Sequence, residues 1–305
     1  MALPPGPTAT PAWQVAAWVL RPGPFMERSR RRYGDVFTVR LAQLGTFVFV
    51  SDPAAIKQVF TASPDVLRAG EGNVALEPIL GKRSMLLLDG VDHLRHRRLM
   101  LPQFHGERLR GYADLIDEIA VREIEGWPSG APLPMQPRMQ AITLEIILRV
   151  VFGLREGARL EEMRGLLTRL LGVATAPIAM VPVLREWRGP MSPARHIYEA
   201  IAAVDEALYA EIRRRRDAAD LEQRDDILSL MLQARDEDGE PLSDVELRDE
   251  LITLLIAGHE TTATGLSWAC ERLVRTPGSL ERLREEAADG GTEYADAVVT
   301  ETLRL

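Results

Sequence analysis

Apolar positions recur at helical spacing through most of the chain, and one stretch organises the rest. From Leu247 to Val274 it reads LRDELITLLIAGHETTATGLSWACERLV, with no proline to interrupt a helix. Leu251, Leu254, Leu255, Gly258, Thr262 and Gly265 fall three and four residues apart and predict a single stripe. Ser243 and Glu246 have the spacing of a capping box, so the predicted element covers 243–274. Its middle departs from the pattern. Ala257, Gly258, His259, Glu260, Thr261, Thr262 and Ala263 put a glycine, a carboxylate and two hydroxyls where an apolar run had marked a core helix. Glycine costs about 1 kcal/mol against alanine in a helix interior, and threonine hydroxyls compete for backbone hydrogen bonds. A turn weakened in this way can open, admit water and present a hydroxyl beside an acid.

The other elements follow in order. Residues 1–11 hold four prolines and predict an extended lead-in. Trp13, Val15, Trp18, Val19 and Leu20 form a short amphipathic turn, which a core contact explains more simply than a membrane foot. A basic helix from Arg28 to Tyr33 stops at Gly34. Residues 36–50 contain two β-branched and aromatic runs around a glycine turn, hence a hairpin, and Ser51-Asp52-Pro53 caps the next helix. A basic helix covers 89–104. The turn-rich stretch 126–137 leads into an apolar helix that needs partners on both sides, so the chain reads as one domain over 1–305. The helix from Ile201 ends in four arginines, expected in solvent near its C-terminus. A last helix covers 294–305. The fold class expected is mainly α with a small β-sheet.

Composition narrows the function. Of 305 residues, 46% are hydrophobic, enough for a sizeable core, and the net charge of −8 argues against a general nucleic-acid binder. The single cysteine, Cys270, excludes an internal disulfide and fits a reducing compartment. No apolar run has the length of a membrane span, so a soluble, cytoplasmic monomer is expected. A zinc-peptidase motif fails because the second histidine of H-E-x-x-H would fall at Ala263, and His259, turned about 200° from Thr261, reads as a helix-flank residue.

Three stretches together carry a resemblance. The order A-G-x-E-T-T at Ala257 to Thr262 is similar to the oxygen-activating helix of the cytochrome P450 superfamily of haem-thiolate monooxygenases. In DGVDHLRHRRLMLPQF, His93 and Arg97 stand four apart and share a helix face. The last stretch, Glu301 to Arg304, resembles the E-x-x-R signature of the same family. The resemblance implies the N-terminal and central part of that fold, incomplete at the C-terminus. It makes Glu260 and Thr261 the acid and alcohol that manage protons, and Ala257 and Gly258 the small residues of the haem face. His93 and Arg97 would hold the propionates of haem b, and Glu301 and Arg304 would be a buried ion pair. Arg95, Arg98 and His96 would face outward, where an acidic electron carrier docks. The segment 175–183 would border substrate.

The implied activity is insertion of one oxygen atom from O2 into a hydrophobic small molecule of fatty-acid or terpenoid kind. Electrons would come from NAD(P)H through a ferredoxin and its reductase or a flavoprotein reductase. The sequence departs from the family in two respects, since neither a cysteine loop nor the further basic residue that completes the Glu301 to Arg304 network follows Arg304. Cys270 does not replace the loop cysteine. Nine residues after Thr261, it lies about half a turn round the helix. The axial cysteine is thus expected beyond Leu305, and the chain alone is expected to be inactive. The competing expectation is a non-catalytic helical haem- or lipid-binding protein built on a remnant of that fold.

Overall fold

A computed structural model describes residues 3–42, 44–104, 110–154, 157–174 and 195–304. The stretch 175–183 therefore lies outside the described residues. The lead-in is extended as expected and is pinned to the first strand: Thr38 donates its backbone N–H to the Pro5 carbonyl (3.0 Å) and its hydroxyl to that of Pro4 (2.7 Å). Gly6 is required there, because a Cβ would fall 1.9 Å from the Thr38 carbonyl oxygen.

Helices α1 (Pro11–Leu20) and α2 (Pro22–Tyr33) precede an antiparallel hairpin, β1 (Val36–Leu41) and β2 (Gly45–Val50), with Val39 opposite Phe47. The hairpin and the Asp52 cap, which accepts from the Ala55 N–H at 2.7 Å, match expectation. The core contact expected of α1 is half of the picture. Gln14 is buried and ties the lead-in to β1, and Trp18 packs edge-on against Phe49, yet Trp13, Val19 and Leu20 face outward.

Then come α3 (Pro53–Thr61), two short helical turns, and α4 (Gly90–Met100). Helices α5 (Ala113–Glu125) and α6 (Met135–Ile146) follow, α6 closing in a wider turn over Ile147–Val151. The sequence continues through α7 (Ala158–Ala174), α8 (Arg195–Arg216), α9 (Ile227–Gln233), α10 (Asp244–Arg275), α11 (Pro277–Ala288) and α12 (Glu293–Arg304). The main core packs α6, α7, α8 and α9 around the first half of α10.

The organising helix begins at the expected capping box, with both reciprocal hydrogen bonds between Ser243 and Glu246. Ser243→Ala is expected to cost about 1 kcal/mol, read as a lowered urea midpoint. Its buried line differs from the expected stripe. Leu251, Leu255, His259 and Ala263, four apart, are buried, while Thr262 is exposed, because α6 lies against the His259 side. His259 is a core residue and not a flank residue. The expectation for the four arginines of α8 also needs correction: Arg215 is 3% exposed and lies in a buried polar network.

Candidate active site

Helix α10 runs unbroken as α-helix through the Ala257–Thr262 turn, so no backbone hydrogen bond is opened there. The Thr261 hydroxyl donates back to the Ala257 carbonyl at 2.5 Å, the usual refuge of a threonine inside a helix. Ala257 and Thr261 both lie on the exposed line of α10, and Gly258 is half-buried. A Cβ on Gly258 would sit 3.6 Å from Ile147 Cδ1, an ordinary contact, so described packing does not demand a glycine. Small size at this turn serves the open face of the helix rather than the buried one.

Glu260, one residue earlier and about 100° round the helix, points the other way. Its carboxylate accepts from Gln140 Nε2 at 2.9 Å and from Gln136 Nε2 at 3.3 Å, both on α6. Sequence reasoning missed these two carboxamides, because nothing in the pattern of α6 singles out one polar position from another. His259 meets the Thr143 hydroxyl at 2.8 Å, and that hydroxyl donates to the Gln140 carbonyl at 3.2 Å. Burial pushes the His259 imidazole down, against an opposing pull from Glu260, which keeps the ring neutral at pH 7.

Glu260 and His259 reach the edge of a cavity of about 940 Å³ between α5, α6, α7 and α10, whose walls include Gln140, Glu145, Arg149 and Arg164. Burial pushes Glu145 upward, but hydrogen bonds from Arg164 (2.6 Å) and Arg149 (2.7 Å) outweigh it and hold the carboxyl below the usual range. The cavity wall is mostly apolar in area but carries charged side chains on the approach to Glu260.

Helix α4 presents two different faces. Arg95 binds Asp236 (2.6 Å), Glu246 (3.1 Å) and the Pro241 carbonyl (3.1 Å), while His96, 1% exposed, meets Glu250 (2.7 Å) and Glu246 (3.2 Å). Arg98 pairs with Glu237. The outward, partner-facing role expected of Arg95 and His96 is therefore incorrect, because carboxylates at the start of α10 and in the turn before it draw both inward. On the other side, His93 is half-buried and Arg97 exposed, and Arg97 carries no ion pair among the described residues. Of the three arginines on α4 it alone keeps its guanidinium uncommitted there, as a carboxylate ligand would require. No hydrogen bond among the described residues joins His93 or Arg97 to Ala257 or Thr261.

Glu301 and Arg304 pair at 2.5 Å, but on the exposed face of α12 rather than in the core. The Arg304 hydrogen bond holds the Glu301 carboxyl below its ordinary value. Cys270 is half-buried, and burial pushes its thiol up, the reverse of what a thiolate ligand needs. Among the described residues, no group of three or more His, Cys, Asp or Glu side chains could hold a metal ion.

The donor set fits the edge of a haem. A guanidinium with open donors and a half-buried imidazole stand one helical turn apart on α4 for the carboxylates, and small residues line the open face of α10.

Comparison with known proteins agrees. The cytochrome P450 family model matches residues 4–305. Putative cytochrome P450 135B1 of Mycobacterium tuberculosis is 46% identical over 318 residues, covering 100% of this chain and 66% of that protein. Putative cytochrome P450 135A1 of the same organism is 38% identical, covering 99% and 67%. The chain thus spans about two thirds of the length of the curated relatives it matches. Among solved structures, a cyanobacterial CYP120A1 with retinoic acid bound superposes with a TM-score of 0.81 over 100% of this chain and 69% of that one, at 23% identity. A cytochrome P450DA haem domain gives 0.73 over 92% and 62%, also at 23% identity. Those two likenesses speak for the fold, and the family match together with the closer relatives settles membership: this chain belongs to the cytochrome P450 family.

Proposed function

We propose that the chain forms the N-terminal and central part of a haem-dependent monooxygenase acting on a hydrophobic small molecule, of fatty-acid or terpenoid kind, with electrons from NAD(P)H through a ferredoxin or flavoprotein partner. The observation that carries this reading is the division of labour between adjacent residues of α10. Glu260, held by two carboxamides, borders a cavity with charged side chains in its wall, while the Thr261 hydroxyl sits on the open face of the same turn.

Haem, when bound, supplies oxygen activation and oxygen-atom transfer. The chain supplies the surroundings. Arg97 and His93 would hold the propionates. Ala257 and Gly258 keep the helix surface low enough for a flat ligand to approach. Glu260, its carboxylate held by Gln140 and Gln136, exchanges protons with water in the cavity. Thr261 exchanges its bond to the Ala257 carbonyl for one to a group on the open face, and passes its hydroxyl proton there while taking another from water on that face.

The test uses the chain extended through the C-terminal third of the 46%-identical relative and loaded with haem. Its ferrous carbon-monoxide difference spectrum should be of the thiolate-ligated type. Arg97→Ala should lose haem faster on dilution into apomyoglobin, by about tenfold for one charge-assisted carboxylate contact. Thr261→Ala should keep haem and spectrum but divert electrons from product. Unchanged coupling in Thr261→Ala would remove the proton role.

A further inference from the structure

A second hollow lies away from the cavity beside Glu260 and shares no lining residue with it. It has a volume of about 160 Å³, and four of its wall residues are arginines. Arg159 comes from the start of α7, Arg214 and Arg215 from the last turn of α8, and Arg224 from the turn before Asp226 caps α9. Among the described residues Glu211 is the one acid in the wall, and the rest of the lining is uncharged. Four like charges drawn from three elements to one concave site repel one another unless anions sit among them.

The nearby acids do not use up these guanidiniums. Glu211 is buried and both its oxygens are taken, Oε1 by Arg215 Nη2 at 3.0 Å and Oε2 by Arg214 Nη1. The Nη groups of Arg215 are committed to Asp226, Ser229 and the Phe152 carbonyl as well. The other three arginines keep donors in reserve. Among the described residues, Arg214 Nη2 and both Nη of Arg224 carry no hydrogen bond, since Arg224 uses only Nε, for Asp220 at 3.1 Å. Arg159 makes none there and stands 3.8 Å from Glu211 Oε2. Setting Asp226 against Arg215, Asp220 against Arg224 and Glu211 against Arg214 still leaves Arg159, so four positive charges face three negative ones. The end of α8 does not absorb the surplus. A helix C-terminus amounts to about half a negative charge, and Arg213 of the same turn, exposed and without an ion pair among the described residues, already offsets it.

We propose that this hollow binds a phosphate group, either inorganic phosphate or the phosphate of a small monoester. Its volume is that of about five bulk waters, which is room for one phosphate and not for a nucleotide. Arginine forks meet phosphate oxygens in pairs, and three forks from separate elements offer more donors than the two oxygens of a carboxylate can accept. The buried Arg215 network holds one wall in place before a ligand arrives, so less ordering is left to the binding step. A bound phosphate ties the start of α7 to the end of α8 and to the turn before α9. The site needs neither haem nor the proton roles proposed for α10.

The test is calorimetric titration of the chain with sodium phosphate, with glycerol 3-phosphate and with acetate, at one ionic strength set by sodium chloride. Phosphate should bind once per chain and raise the unfolding temperature in a saturable way, and acetate should do neither. Each guanidinium removed should weaken binding about tenfold, so Arg159→Ala with Arg224→Ala should weaken it about a hundredfold. Neither side chain is buried or belongs to the Arg215 network, so without phosphate the double variant should unfold close to the wild-type temperature. Arg213→Ala removes the same charge from α8 outside the hollow and should bind phosphate as wild type does. Tighter binding of glycerol 3-phosphate than of the free ion would assign the site to an ester, and equal or weaker binding to inorganic phosphate. The wild-type titration needs no substitution. No saturable binding of either phosphate, equal binding of acetate, or a loss in Arg213→Ala as large as in Arg159→Ala would overturn the proposal, the last by showing a general response to positive charge.

Discussion

Arg215→Met is expected to lower the stability of the chain by about 3–5 kcal/mol, the usual result of removing one partner from a buried ion pair. Arg215 is 3% exposed at the end of α8. One Nη reaches both Asp226 oxygens (2.5 and 2.6 Å) and the Ser229 hydroxyl (2.7 Å), and the other reaches the Phe152 carbonyl (2.8 Å) and Glu211 (3.0 Å). Without the guanidinium the buried Asp226 carboxylate loses its counter-charge, Glu211 is left with Arg214 and Arg159, and a carbonyl loses its donor. Asp226 also caps α9 through the Ser229 N–H, so the loss spreads to a second helix. The site is tightly built: Gly153 has φ +63° and a Cβ there would fall 2.5 Å from Asp226 Oδ2. Lysine carries the charge but not the fork that serves Asp226 and Phe152 together, so Arg215→Lys should recover only part of the loss. Urea unfolding of the three proteins is the measurement. A midpoint for Arg215→Met within about 1 kcal/mol of wild type would show that the network is not what holds α8, α9 and the end of α6 together.

Much of the fold was legible in the sequence because its signals are local. Caps at Ser243 and Asp52, the glycine stop at Gly34 and the alternation of β1 and β2 act within a few residues of chain, and the structure follows them. What escaped depends on partners far away in sequence. Nothing near Arg215 distinguishes it from Arg213, Arg214 or Arg216; it is selected by Asp226 and Phe152, brought up by the packing of α8 on its neighbours. Likewise Arg95 and His96 read as a basic face until carboxylates about 150 residues later turn them inward. In the candidate site, the identity of Glu260 and Thr261 was visible, but their opposite directions follow from α6 occupying one side of α10. The outward apolar face of α1 escaped for a further reason: hydrophobicity reports that a residue avoids water, and not which of two surfaces covers it.

His96→Ala, on α4 where it meets the start of α10, is expected to cost about 3 kcal/mol near neutral pH, and most of that cost should disappear in acid. The Glu250 carboxyl is fully buried; Oε1 accepts from the Met85 N–H (2.8 Å) and meets His96 Nδ1 (2.7 Å), whereas Oε2 has no partner. Burial pushes this carboxyl above its ordinary value, and His96 opposes the shift. An acid whose folded pKa is raised binds its proton more tightly in the folded state. It therefore contributes stability that is complete below the unfolded value near 4.5 and is lost as pH rises through the raised folded value. Removing His96 takes away the opposing pull, so the loss on raising the pH should become steeper in His96→Ala than in wild type. Glu250→Gln has no charge to bury and keeps an oxygen for the Met85 N–H, so the double variant should lose that extra pH dependence and regain much of the stability. Chemical unfolding at several pH values from mildly acid to neutral reads all three proteins. A cost for His96→Ala that stays constant with pH, or that Glu250→Gln fails to reduce, would mean that the histidine acts by packing alone and that the buried carboxylate is not what it neutralises.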